Sequence, residues 1–196
     1  MPINKCLVCK KISVSNIRDV LFKSPICSKC FRKFNVLLET SVFEEKELFC
    51  LYQYEGLGKD LLFQFKGEKD YKLKVVFTCM FKKYLKEKYK DYVFYCAPSS
   101  LKSDKERGFN HVEQIALTLS SKVYKPFFKK EDWKQSSKKG KEREMIENVI
   151  GFDGRLDKKV VIIDDVMTSG STIKACIRHL SPSVDCKVLI IFKNCR

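Results

Sequence analysis

Residues 160–172, Val-Val-Ile-Ile-Asp-Asp-Val-Met-Thr-Ser-Gly-Ser-Thr, decide the fold. The first four are apolar and β-branched without interruption, as a strand buried on both faces requires. Two acids, Asp164 and Asp165, stand at the carboxyl end of that run. A loop of hydroxyls and glycine follows, Thr168, Ser169, Gly170, Ser171 and Thr172, and leads into a helical pattern. In open α/β sheets, ligands sit outside the carboxyl ends of the strands. A helix amino terminus behind a Gly/Ser/Thr loop offers free N–H groups to a phosphate. Carboxylates beside it suit a neighbour that donates hydrogen bonds, such as sugar hydroxyls. A phosphorylated sugar satisfies both halves. No G-x-x-x-x-G-K stands anywhere in the chain, so Walker-type nucleotide binding has no support.

Working outward, Ile173, Cys176, Ile177 and Leu180 share one helical face, Ser181-Pro182 breaks it, and residues 188–192 form a second buried strand. Upstream, residues 48–54 and 92–97 read as strands, the latter stopping at Pro98. Residues 57–65 read as a short helix and 72–90 as a longer one. Residues 99–110 are polar and loop-like, and Val112, Ile115, Ala116 and Leu119 mark another helix. Strand and helix alternate repeatedly, which predicts an α/β fold with a mostly parallel sheet flanked by helices.

The amino-terminal residues carry a different pattern. Cys6-x-x-Cys9 and Cys27-x-x-Cys30 are separated by 17 residues. Each C-x-x-C turn places two thiolates on one knuckle, and two knuckles close a tetrahedron. The spacing favours structural zinc over an iron–sulfur cluster or a redox dithiol, which use the same ligand type. Residues 1–46 are expected to form this small four-cysteine module, with a polar helix after the second pair, and residues 47–196 the α/β domain. The other six of the ten cysteines stand singly in apolar surroundings, as buried small hydrophobes do.

The 196 residues carry a net charge of +15, with 44% hydrophobic residues. That hydrophobic content excludes wholesale disorder, and the charge favours polyanionic partners. Lys134, Lys138, Lys139 and Lys141, near Trp133, interleave basic and aromatic character and are a candidate surface for single-stranded DNA. The opening MPINKCLVCK lacks the apolar core of a secretory signal, and no apolar run reaches the roughly 18 residues of a membrane helix. A cytoplasmic protein is expected.

Residues 160–172 resemble the 5-phosphoribosyl-1-pyrophosphate (PRPP) signature of type I phosphoribosyltransferases. A four-cysteine module ahead of such a domain resembles the ComF family of competence proteins. Further matches are Tyr52, Tyr54 and Gly56, then Phe65-Lys66-Gly67; Pro98; Arg107-Gly108-Phe109-Asn110 with Glu113 and Ala116; and Arg143, Asn148 and Phe152. Three positions depart from the family pattern. Ala97-Pro98-Ser99-Ser100 replaces P-V-P-L, His111 stands where glutamine is usual, and Ser169 where threonine is commoner.

The resemblance implies that Asp164 and Asp165 grip the ribose hydroxyls and that residues 168–172 cradle the 5′-phosphate. Lys66 and Gly67 are then candidates for pyrophosphate, and Arg107 for closing over it. Mg²⁺ would accompany PRPP as a hard cation suited to phosphate oxygens. Asn110 fits a helix cap, His111 a surface or helix-start position, and His179 a complement to a helix dipole. The implied role is natural transformation, in bringing single-stranded DNA into the cytoplasm alongside other DNA-uptake proteins at the inner face of the membrane. The alternative is an active phosphoribosyltransferase of nucleotide or amine metabolism. The residues give no cue to a purine, pyrimidine or orotate acceptor.

Overall fold

The computed structural model describes residues 5–12, 24–129 and 150–194. In chain order the elements are α1 (Ser28–Phe31), β1 (Val36–Phe43), β2 (Lys46–Gln53), α2 (Gly56–Gly67), a 3-10 turn (Tyr71–Val75), α3 (Lys82–Lys88), β3 (Val93–Cys96), α4 (Leu101–Arg107), α5 (His111–Ala116), β4 (Val123–Tyr124), β5 (Phe127–Lys129), β6 (Ile150–Phe152), β7 (Lys159–Met167), α6 (Ser171–Arg178) and β8 (Asp185–Lys193). Six strands form one sheet in the order β1-β2-β8-β7-β3-β4. Only β1 and β2 pair antiparallel; the other four pairings are parallel. β5 and β6 form a separate antiparallel pair.

β7 lies inside the sheet, and its sequence shows why. Val161 and Ile163 enter one buried cluster, with Leu61, Leu62 and Phe65 of α2, Leu85 of α3 and Ile115 of α5. Val160 and Ile162 enter the other, with Ile173 and Cys176 of α6 and with Phe127 and Ile150 of the two-stranded pair. Strand alternation therefore demands apolar residues at every position. Burying each such side chain stabilises by about 1.5–3 kcal/mol. α2 approaches closely because Gly58 has no side chain: a Cβ there would stand 2.6 Å from the Phe192 ring.

Three segments differ from their sequence reading. After the second cysteine pair, where a polar helix is expected, the chain instead forms the edge strand β1, which joins the sheet through β2. Its alternation of exposed and half-buried positions is the signature of an edge strand, and the four-residue α1 lies across the second cysteine pair instead of following it. Residues from both sides of the 46/47 division thus share one sheet. Residues 72–90 are not one helix but a 3-10 turn, a run of turns and α3. Of the positions at helical intervals there, Val76, Phe77 and Leu85 are buried, Phe81 is half-buried, and Met80 and Tyr84 are exposed. The succession Val75-Val76-Phe77-Thr78 is a poor helix former. Residues 99–110 contain the helix α4, capped by Ser100 accepting from the Ser103 amide and ended by Gly108 at φ +85°. After Leu101, α4 is polar, so its sequence carries no apolar period.

Candidate functional site

The carboxyl ends of β3 and β7 meet the helices that follow β2 and β3 at one place. β7 continues through both acids to Met167, so Asp164 and Asp165 lie within the strand rather than after it. Adjacent strand residues point to opposite faces. Asp165 turns to the face carrying α2 and α5 and is buried at 5% exposure. There it forms an ion pair with Lys66 of α2, and its Oδ1 lies 3.5 Å from Nε2 of His111. Asp164 is half-buried, and its Oδ1 accepts the Asp165 N–H at 2.8 Å.

Arg107 closes the arrangement. Its Nε donates to the Lys66 carbonyl at 3.0 Å, and its guanidinium reaches Asp104 at 3.0 Å and His111 Nδ1 at 2.9 Å. Lys66, Asp165, His111 and Arg107 therefore form a closed ring. Asp104 anchors it from α4, since its other oxygen accepts from Asn110 at 2.8 Å and from Ser99. Asn110 caps α5 as its sequence position suggested, accepting the Glu113 N–H at 2.8 Å. Phe109 fixes the turn between α4 and α5 by packing on Phe65 at 5.2 Å and on Tyr71 at 5.4 Å.

The electrostatics separate the two acids. Burial and then the charge of Asp165 raise the Asp164 pKa well above the usual carboxylate value. Burial acts upward on Asp165 as well, but the His111 hydrogen bond and the Lys66 ammonium outweigh it and hold this carboxyl low. Asp165 is thus the ionised member of the pair, and Asp164 the one that retains a proton more readily.

The loop after β7 has the conformation its composition suggested. Gly170 sits at φ +77° as N-cap of α6, and its carbonyl accepts the Lys174 N–H at 2.9 Å. Thr168 and Ser169 are exposed, Ser171 and Thr172 half-buried. Ser169 and Ser171 share a hydroxyl hydrogen bond of 2.8 Å. The N–H groups of a first helical turn have no partner within the helix, so this loop presents hydroxyls and amides together. Gly67 ends α2 one residue after Lys66; a Cβ there would meet only the Phe63 ring at 3.8 Å, an ordinary contact. Neither packing nor backbone requires a glycine, and the position leaves open space beside Lys66.

Cys6, Cys9, Cys27 and Cys30 form the second cluster, with all four sulfurs within 4.8 Å of one another. A tetrahedral site with sulfurs at about 2.3 Å from the metal has S···S separations near 3.8 Å, and Cys9 and Cys27 stand 3.9 Å apart. The Cys27 N–H points to the Cys6 sulfur at 3.3 Å. That bond and two further backbone donors, acting against burial, lower the Cys6 pKa to about 7. The cluster can hold a metal ion, and four thiolates fit structural zinc. Phe31 and Phe34 of this segment pack on Phe81 and Tyr52 at 6.1 Å and 5.1 Å, tying it to the sheet.

Sequence reasoning singled out Lys66, Arg107 and Asp165, and the fold brings them into one network. His111 does start α5, one of the two positions expected for it, but it is buried at the centre of that network and its partners were missed. The available signal was the Arg107–His111 spacing, i and i+4 across a glycine turn. Asp104 was missed as well. His179 does not act on a helix dipole alone: its Nε2 donates to the Ile150 carbonyl at 2.9 Å. Lys134, Lys138, Lys139 and Lys141 lie outside the described residues, as do Arg143 and Asn148. No helix among the described residues is long and apolar enough to cross a membrane.

Comparison with known proteins bears on the first of these clusters. The family described as Phosphoribosyl transferase domain matches residues 106–192, which include Arg107, His111, both acids and the loop. The competence protein ComFC of Streptococcus pneumoniae (strain ATCC BAA-255 / R6) is 33% identical over 125 residues, 63% of this chain and 56% of that protein. The competence protein ComFC of Bacillus subtilis (strain 168) is 29% identical over 136 residues, 66% of this chain and 56% of that protein. The chain thus matches a little over half the length of these curated relatives.

Proposed function

This chain belongs to the ComF family of competence proteins, and from that premise we propose that it binds PRPP and acts in natural transformation. In this reading the site at the carboxyl ends of β3 and β7 takes the ligand. Asp164 and Asp165 accept from the ribose hydroxyls, and residues 168–172 receive the 5′-phosphate. Lys66 and Arg107 turn to the pyrophosphate. The observation that carries the reading is the gathering of Lys66, Arg107 and Asp165 into one network immediately upstream of the Gly170 loop. PRPP carries its hydroxyls between two anionic ends, and this edge of the sheet offers carboxylates between cations and a phosphate cradle.

Mg²⁺ would enter with the ligand beside Asp164 and Asp165, as a hard cation suited to phosphate oxygens, and would supply neutralisation of the pyrophosphate charge. Cys6, Cys9, Cys27 and Cys30 would hold zinc; its role would be structural, tying residues 5–12 to residues 24–30, because four thiolates leave no open coordination position. The protein works at the cytoplasmic face of the inner membrane with other DNA-uptake proteins, and its charge of +15 draws single-stranded DNA to it.

Hydrogen–deuterium exchange with and without Mg²⁺–PRPP tests the ligand site. Protection confined to the peptides spanning residues 62–67, 101–113 and 163–176 is expected. Protection elsewhere, or none at saturating ligand, overturns the assignment.

A further inference from the structure

We propose that His111 is a positioning residue of this site: it ties the Arg107 guanidinium to the Asp165 carboxylate and holds both in the arrangement that a pyrophosphate and a ribose meet. The inference rests on the PRPP reading above. Its ground is a matter of donors and acceptors. The guanidinium has only N–H donors to offer, and an ionised carboxylate only acceptors. Arg107 lies 2.9 Å from Nδ1, and Asp165 lies 3.5 Å from Nε2. An imidazole between them satisfies both only when Nδ1 is bare and Nε2 carries the proton.

The neighbours enforce this form. Asp104 fixes Arg107 from the far side at 3.0 Å, and the Lys66 carbonyl holds its Nε at 3.0 Å. Lys66 fixes Asp165. His111 is buried at 7% exposure, so water cannot substitute for either contact. The two side chains it joins belong to different elements, α4 and β7, and Arg107 otherwise has a long, rotatable stem. With Arg107 held in advance, the ligand does not have to order it.

Glutamine offers the same pair of functions: an amide oxygen to accept from Arg107 and an N–H to donate to Asp165. Phenylalanine fills a similar volume and offers neither. These two substitutions therefore separate a polar positioning role from simple space filling.

The test is Mg²⁺–PRPP affinity by titration calorimetry for the wild-type chain, His111→Gln and His111→Phe, with thermal unfolding as the check on folding. His111→Gln within about twofold of wild type and His111→Phe weaker by about tenfold, one contact's worth, are expected. A folded His111→Phe that binds as wild type does, or a folded His111→Gln that loses tenfold, overturns the proposal. The ¹⁵N shifts of the imidazole in the free protein give an answer that needs no ligand. With two histidines in the chain, the His111→Gln spectrum assigns the signals by difference. A bare Nδ1 and a protonated Nε2 near pH 7.5 are expected; the opposite tautomer, or a doubly protonated ring, overturns the positioning role. If the wild-type chain itself fails to bind PRPP, the ligand assignment falls, and the tautomer still decides whether His111 joins Arg107 to Asp165.

Discussion

Lys66, at the carboxyl end of α2, pairs with Asp165 in the middle of the sheet, and His111 approaches the same carboxylate at 3.5 Å. A cation and an acid that the sequence reading assigns to different parts of one ligand, pyrophosphate and ribose, thus neutralise each other in this structure. On the PRPP reading proposed above, ligand binding at this edge would be an exchange of partners between Lys66 and Asp165: phosphate oxygens would replace the carboxylate on the ammonium and ribose hydroxyls the ammonium on the carboxylate, with His111 still joining Arg107 to Asp165.

The first prediction concerns the sign of the two acids' contributions. Asp165 has a lowered folded-state pKa, so its stabilisation is present above its unfolded value near 4 and is lost as pH falls through the folded value. Asp164 has a raised one, so its contribution is present below about pH 4 and is lost as pH rises through the folded value. At pH 7 Asp165→Asn should cost roughly 2–3 kcal/mol by leaving Lys66 unpaired, or about 4–10 °C in melting temperature. Asp164→Asn should leave stability unchanged or raise it. The gap between the variants should narrow below pH 4. Melting curves across pH 3–8 check this, and the reverse order at neutral pH would contradict the assignment of charge.

Gly170 is the second. A Cβ at φ +77° costs about 1–2 kcal/mol, and it would stand 2.6 Å from both Met167 Cε and the Phe43 ring. Both neighbours are ends of side chains and can move, so Gly170→Ala should fold, with a melting temperature lower by roughly 2–8 °C. PRPP affinity should fall tenfold or more, because the loop amides move with the backbone. A stable variant with undiminished affinity would place the phosphate elsewhere.

Metal removal is the third. Purified protein should contain close to one zinc per chain, and Cys27→Ser with Cys30→Ser should abolish it. The loss should lower the melting temperature by many degrees, since structural zinc contributes on the order of 10 kcal/mol in small modules and this one packs Phe31 and Phe34 onto the sheet. Metal analysis finding iron or nothing would refute structural zinc.

Binding of single-stranded DNA is the fourth. Fluorescence anisotropy with a labelled oligonucleotide should show sequence-tolerant binding that weakens steeply between 50 and 200 mM salt. Lys134, Lys138, Lys139 and Lys141 changed together to Ala should reduce both affinity and the salt slope. Affinity that survives the fourfold change moves the surface away from these lysines; no binding at 50 mM salt removes DNA from the account.

What could be read in advance follows physical lines. The run Val160, Val161, Ile162, Ile163 announced an interior strand, because only burial on both faces makes every position apolar. The cysteine spacing announced a closed cluster, since the ligands are local in sequence. β1 was illegible as a strand: its residues alternate between exposed and half-buried, and its pairing with β2 depends on distant partners. α4 was illegible because Lys102, Asp104, Lys105, Glu106 and Arg107 give it no apolar face. At the site, Lys66, Arg107 and Asp165 were visible as types, but their mutual neutralisation was not. It arises from the crossing of α2, α4 and β7, which no local pattern encodes. His111 escaped for the same reason, its partners lying four residues away across a turn and 54 residues away on another element.

The most direct test of the central claim is calorimetric titration of Mg²⁺–PRPP into the wild-type chain and into Asp164→Asn combined with Asp165→Asn, an isosteric pair of changes whose folding is verified by melting. Saturable binding of one PRPP per chain in the wild type, weakened about a hundredfold or more in the double variant through loss of the Asp165 charge and of both carboxyl groups, is predicted. A wild-type chain with no saturable heat, or a folded double variant that binds PRPP as tightly as the wild type, would contradict it.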